Sequence, residues 1–215
     1  MKSAVVVCFV VSIFAAPAMA QVFEDCNKEQ ELTLDAAMRN AKELTLKAAT
    51  AVGDTAEYDR WFGTYSASNA EQVRATLKSV VSAIRGGGVT AQCHTVGEDG
   101  CNAGEYAWVY PHEPFLMHIC PSFFNLPALT TLQPGTRRSD NGTREGTVVH
   151  ELSHFLSVAN TDDHCYSRSE CADMASYNPR HAIENADSFQ YFTEDVTYYA
   201  RQPVSGKPAA AAPAR

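Results

Sequence analysis

The stretch Thr147-Val148-Val149-His150-Glu151-Leu152-Ser153-His154-Phe155-Leu156 decides how this chain reads. Residues four apart on an α-helix lie one turn above each other, so His150 and His154 put two imidazoles on one face with the Glu151 carboxylate beside them. Thr147, Val148 and Val149 ahead of this group, together with Leu152, Phe155 and Leu156, supply an apolar face, so the histidines are expected where a helix is half buried. The spacing is that of a zinc-hydrolase core, in which two imidazoles bind one ion and the carboxylate addresses the water that the ion holds.

Two ligands do not complete such a site. Zinc catalysis uses three protein ligands and an open fourth position. Candidates for the third follow soon after the histidines: Asp162, Asp163, His164, Cys165 and, further on, Asp173. The helix-breaking composition of Ala159, Asn160 and Thr161 lets the chain turn back toward the ion. Asp163 and His164 stand level, because carboxylate oxygen and imidazole nitrogen both bind zinc well and spacing alone does not choose between them.

Three runs, Gly146 to Phe155, Asn160 to Tyr166 and Asn185 to Phe192, resemble the aspzincin metalloendopeptidases, the family of deuterolysin and peptidyl-Lys metalloendopeptidase. Upstream, Tyr58 to Gly63, Ala107 to Pro111 and His118 to Cys120 are similar in order and approximate spacing to the peptidyl-Lys branch, so the resemblance covers most of the chain. It implies that Asp163 completes a Zn2+ site with His150 and His154. It also implies that Glu151 is the general base and acid of peptide hydrolysis and that Tyr166 hydrogen-bonds the oxyanion. His164 then becomes a bystander. One departure is Asn160 where the family has glycine; asparagine still tolerates a left-handed turn. Another concerns substrate choice. In the peptidyl-Lys branch an Asp, and a Glu three residues on, receive the lysine on the amine side of the cut. Here Asp187 matches but Gln190 takes the place of the Glu. An amide still accepts hydrogen bonds from an ammonium, yet the lost charge weakens the attraction, so lysine preference is expected to be less strict.

Residues 1–20 carry Lys2, an apolar run from Ala4 to Ala16 and the small-residue site Ala18-Met19-Ala20, the pattern of a secretory signal peptide. Its apolar run is too short for a comfortable membrane span. The expected organisation is a signal peptide at 1–20, one metallopeptidase domain at 21–204 and a disordered Ala/Pro tail at 205–215. Few residues separate Ala20 from the first helix, so no long propeptide is expected, and restraint, if any, falls to a separate inhibitor. Of seven cysteines, Cys8 lies in the signal peptide and six remain: Cys26, Cys93, Cys101, Cys120, Cys165 and Cys171. An even number in an exported chain suggests three disulfides. The family resemblance implies Cys26 with Cys93 and Cys101 with Cys120, leaving Cys165 and Cys171 to pair locally around Asp163 and Tyr166.

The formal charge is −8 and no basic run is present, which argues against nucleic acid or an anionic membrane as partner. A secreted monomer, extracellular or periplasmic, acting on protein or peptide substrates is the expectation. Along the chain, Glu29 to Val52 reads as a long helix. Asn69 to Arg85 reads as a second, capped by Asn69 and stopped by Gly86-Gly87-Gly88. Tyr106 to Tyr110 and Phe115 to Cys120 read as strands of a small antiparallel sheet beside the active-site helix, able to bind an extended peptide at its edge. Pro121 to Gly142 reads as a connector. Glu170 to Tyr177 and Pro179 to Tyr199 read as two more helices, with Asn178 capping the second. The expected fold class is therefore α+β: a predominantly helical, zincin-like metalloprotease with a small antiparallel β element, stabilised by disulfides. The competing function is an exported zinc-containing binding protein with little turnover, which an intact Glu151 does not favour.

Overall fold

The computed structural model describes residues 21–98, 100–102, 104–132 and 142–197. The expected signal peptide, the Ala/Pro tail and most of the second half of the connector lie outside these residues. The first helix, α1 (Lys28–Ala51), starts at Asn27, whose Oδ1 accepts from the N–H groups of Glu29 and Gln30, while Gln30 Oε1 accepts from the Asn27 N–H. This reciprocal cap satisfies donors that a helix start leaves open. Leu34, Ala37, Met38, Ala41, Ala48 and their neighbours form one buried stripe at helical spacing, which packs on α3 (Ala67–Arg85), α4 (Arg144–His154) and α7 (Ala186–Thr197).

Helix α3 begins two residues before the expected Asn69, because Ser66 is the cap: its Oγ accepts from Asn69 N–H. The short helix α2 (Ala56–Phe62) has no counterpart in the sequence reading; at 7 residues it is too short to display a period, although it buries Tyr58, Trp61 and Phe62 completely or nearly so. It ends on Gly63, whose φ of 75° is left-handed and whose missing Cβ would lie 2.5 Å from the Ala175 carbonyl oxygen. Only glycine fits where α2 meets α5 (Arg168–Tyr177).

The sheet has the order β1 (Val22–Glu24), β2 (Thr90–Cys93), β4 (Leu116–Ile119), β3 (Ala107–Val109). The expected antiparallel element is the β3–β4 pair, with Trp108 opposite His118. The sheet as a whole is mixed, since β1 and β2 join in parallel. Strands β1 and β2 have no counterpart in the sequence reading: they are as short as β3 and β4 but lack the flanking aromatic residues that marked Tyr106 to Tyr110 and Phe115 to Cys120. The expected connector holds two 3-10 turns, Pro121–Asn125 and Leu129–Thr131. The last expected helix is divided into α6 (Pro179–Ala182), capped by Asn178 as expected, and α7, because residues 183–185 leave the helix to meet the loop at Asp162. Cys26 pairs with Cys93, Cys101 with Cys120 and Cys165 with Cys171. The first two bridges tie the sheet's ends to their flanking loops.

Replacing Gly63 by alanine combines a left-handed backbone with a steric clash, and the expected cost is about 3 kcal/mol. Urea unfolding of the oxidised protein measures it; a loss below about 1 kcal/mol would mean that α2 and α5 separate freely.

Candidate active site

The cap of α4 is Thr143, whose Oγ1 accepts from the Gly146 N–H and donates to Glu194 Oε1 on α7 at 2.8 Å. A Cβ on Gly146 would lie 2.3 Å from that same Oε1 and 2.8 Å from Gln190 Cγ, so glycine is what lets α7 approach α4 this closely. The approach brings Asp187 beside His150. His150 Nδ1 donates to Asp187 Oδ1 at 2.8 Å, and His154 Nδ1 donates to the Thr161 carbonyl oxygen at 2.8 Å. Each ring is thereby fixed with Nε2 facing outward, the arrangement that metal-binding histidines take from their outer partners.

After His154 the helix ends at Phe155, which is fully buried, whereas the expected apolar neighbour Leu156 is 61% exposed. Asn160 adopts a left-handed φ of 52°, and Thr161 folds back to hydrogen-bond Ser153 through both backbone and hydroxyl. Asp162 then forms a parallel bridge with Asn185. The Asn185 Oδ1 accepts from the N–H groups of His164 and Cys165, so one buried amide fixes the loop onto the α6–α7 junction. The result places Asp163 Oδ1 at 3.3 Å from His150 Nε2 and 3.5 Å from His154 Nε2, while the two Nε2 atoms are 3.1 Å apart. A tetrahedral zinc ion about 2.0–2.1 Å from each donor requires donors roughly 3.3–3.4 Å apart, so this triangle has the right size. Among the described residues Asp163 Oδ1 is buried without a hydrogen-bond partner, which fits an oxygen able to bind a cation. Of the two candidates that spacing left level, His164 is turned away and stacks on His181 at 4.3 Å. Cys165 is in its disulfide, and Asp162 is engaged with Asn185 and its own loop.

The electrostatics suit a cation. Burial disfavours a charge on His150, but the Asp187 hydrogen bond and the nearby carboxylates of Glu151, Asp187 and Asp163 outweigh it and raise its pKa to about 9. Burial and the neighbouring His150 hold His154 below the usual imidazole range. A field that retains one proton on this pair equally favours a metal ion in its place. Burial pushes the Glu151 carboxyl up to about 7, with the His150 charge opposing and the other carboxylates adding to the shift. A carboxylate so placed exchanges protons near neutral pH. Glu151, His150 and His154 also offer donor atoms within 4.8 Å of one another.

Tyr166 is 65% exposed and lines the cleft. Burial of its hydroxyl and the neighbouring Asp163 carboxylate raise its pKa. Tyr191 Oη donates to the Tyr166 carbonyl at 3.1 Å and anchors its backbone. The cleft, about 450 Å3, has α4 as its floor, β3 with the preceding Glu105 and Tyr106 as one wall, and Asp187, Gln190 and Tyr191 of α7 as another. Asp187 and Gln190 are both buried at its base, and one Asp187 oxygen is already committed to His150. The Thr161 carbonyl and Glu105 were not found from sequence: a backbone oxygen leaves no residue-type signal, and Glu105 stands alone in a polar turn.

Fold and site together define the scaffold of a zinc metalloendopeptidase. Residues 47–194 match the aspzincin family, described as lysine-specific metallo-endopeptidase. The chain is similar to an extracellular protease of Aeromonas hydrophila, 34% identical over 76% of this chain and 42% of that protein. It is also similar to the peptidyl-Lys metalloendopeptidase of Pleurotus ostreatus, 30% identical over 80% of this chain and 96% of that protein. The solved zinc peptidase from Grifola frondosa superimposes with a TM-score of 0.67 at 26% identity, covering 79% of this chain and 97% of that one. The chain thus spans less than half of the Aeromonas protein but nearly all of the Pleurotus enzyme. It belongs to the aspzincin family.

Asp187→Asn keeps the shape but removes the charge that fixes His150, and zinc affinity is expected to fall by about 10–100-fold. Competition titration against a chromogenic chelator reads this directly, and an affinity equal to the parent's would show that the 2.8 Å contact leaves metal binding untouched.

Proposed function

We propose that this chain is an exported zinc-dependent endopeptidase. The observation that carries the reading is the triangle of His150 Nε2, His154 Nε2 and Asp163 Oδ1, with edges of 3.1–3.5 Å, opening into a cleft beside Glu151. Zinc held by these three residues supplies Lewis acidity, which makes a water acidic near neutral pH and polarises the scissile carbonyl. Glu151 takes the proton of the attacking water and returns it to the leaving amine. The Tyr166 hydroxyl, beside Asp163 and open to the cleft, donates a hydrogen bond to the oxygen on which negative charge develops. Asp187 fixes the His150 ring.

Strand β3 is an edge strand and forms one cleft wall, which supports binding of the substrate as an extended added strand. The α7 wall, with Asp187 and Gln190, receives a lysine side chain on the amine side of the cut. With one carboxylate, shared with His150, and one neutral amide, that preference is partial. Three disulfides fit an oxidising compartment, extracellular or periplasmic. Among the described residues no helix is long and apolar enough to cross a membrane. The working unit is a monomer acting on proteins or peptides.

Digestion of a denatured protein mixture, with every cut mapped by mass spectrometry, tests the reading. Cleavage is expected to stop on chelation and to return with zinc. Glu151→Gln should keep stoichiometric zinc and lose about 10²–10⁴-fold in kcat/KM. Full activity in this variant, or no cutting by the zinc-loaded, oxidised parent, would replace the protease reading with that of a zinc-containing binding protein. Tyr166→Phe should lower kcat by about 10²-fold with little change in KM, since its hydrogen bond forms in the transition state. A loss confined to KM would instead make Tyr166 a substrate contact.

A further inference from the structure

The cleft is one-sided in charge. Its described lining contains Glu105, Glu151, Asp163 and Asp187 and no lysine or arginine. Three of these carboxylates are occupied by the reaction site itself: Asp187 accepts from His150, Asp163 faces both histidine nitrogens, and Glu151 is buried beside them. Glu105 differs in every respect. It is exposed, it belongs to the wall that continues into β3, and among the described residues its side chain makes no hydrogen bond or ion pair.

Its position is nevertheless fixed. Cys101 is bridged to Cys120, the Glu105 N–H donates to the Asn102 carbonyl, and Cys120 N–H donates to the Tyr106 carbonyl, so the β3–β4 ladder continues up to the residue after Glu105. Glu105 stands two residues before β3 and lines the cleft together with Tyr106, Ala107 and Val109. The charge of Glu105 is close enough to add to the upward shifts of both Glu151 and Tyr166. A peptide lying along the β3 edge runs past this carboxylate.

We propose that Glu105 is a specificity-determining residue: it forms a subsite on the β3 wall for a cationic side chain, lysine or arginine, of the bound peptide. This subsite is separate from the α7 wall of Asp187 and Gln190. The proposal rests on the reading of the cleft as a peptide-binding site. It makes Glu105 a source of binding selectivity and assigns it no part in bond breaking.

The test uses the zinc-loaded Glu151→Gln protein, which binds peptide without consuming it, and fluorescein-labelled peptides in which one lysine is moved along an otherwise neutral sequence. The norleucine peptide is the reference, and Kd is read by anisotropy. Besides the position served by the α7 wall, one further lysine position is expected to bind about fivefold more tightly than the reference, the upper range for a solvent-exposed ion pair. Adding Glu105→Gln should remove that preference, and Glu105→Lys should turn it into discrimination against lysine. A lysine preference that survives Glu105→Gln at every position, or the absence of any preference in the Glu105 protein, overturns the proposal. Cleavage of the same peptides by the Glu151 form is scored separately. Selective binding without chelator-sensitive cutting would reject the protease reading and retain the Glu105 subsite.

Discussion

The site depends on how closely α7 lies against α4. That approach is set by Gly146, where any side chain would collide with Glu194 and Gln190, and it is locked by a buried polar network. Arg168 donates to Asp195 at 2.9 Å and also pairs with Glu194; Thr143 donates to Glu194, and Trp61 Nε1 donates to Asp195 at 3.0 Å. Burial pushes Glu194 up to about 7, with Arg168 opposing the shift. Taking these charges out of water is costly, and removing one partner would strand another, so the network holds one register of α2, α5, α4 and α7 rather than simply adding stability. Asp187 lies about two turns before Glu194 on α7, and its contact with His150 follows from that register.

The loop after α4 brings Asp163, the proposed third donor, into place by a different device. A helix places residues at fixed spacing, but Asp163 must be brought back against the helix that precedes it. The left-handed Asn160, the Thr161–Ser153 pairing, the Asp162–Asn185 bridge and the Cys165–Cys171 disulfide each restrict this return. Donors held at the spacing of a tetrahedral ion before it binds spare the cost of ordering them on binding. The carboxylates of Asp187, Glu151 and Asp163 that favour a proton on His150 favour a divalent cation between the same side chains.

The sheet contributes its edge. On the face where Trp108 and His118 are paired across β3 and β4, their rings stack at 3.6 Å, and His118 is in turn 2.8 Å from His94. This stack stiffens a strand of only 3 residues, while its outer backbone edge faces the cleft. An exposed edge is ordinarily an aggregation hazard; a very short one beside charged groups is a manageable site for adding a substrate strand.

What the sequence determined by itself is what local spacing can encode: the His150–Glu151–His154 face, the bodies of the two long helices α1 and α3, the cap at Asn178, and strands β3 and β4. The resemblance of short motifs added Asp163, the disulfide pairing and the family. Contacts between segments distant in the chain were decided by the tertiary structure alone. Whether Asp163 or His164 turns inward depends on Asn185, some twenty residues later, and the commitment of Asp187 to His150 depends on the absence of a Cβ at Gly146. Helix α2 was hidden because 7 residues carry no clear period, and β1 and β2 because, unlike β3 and β4, they lack flanking aromatic residues and are set by the parallel neighbours they pair with. Glu105 became visible only when the sheet brought its turn to the wall of the cleft, since a lone carboxylate in a sequence says nothing about which charge it faces.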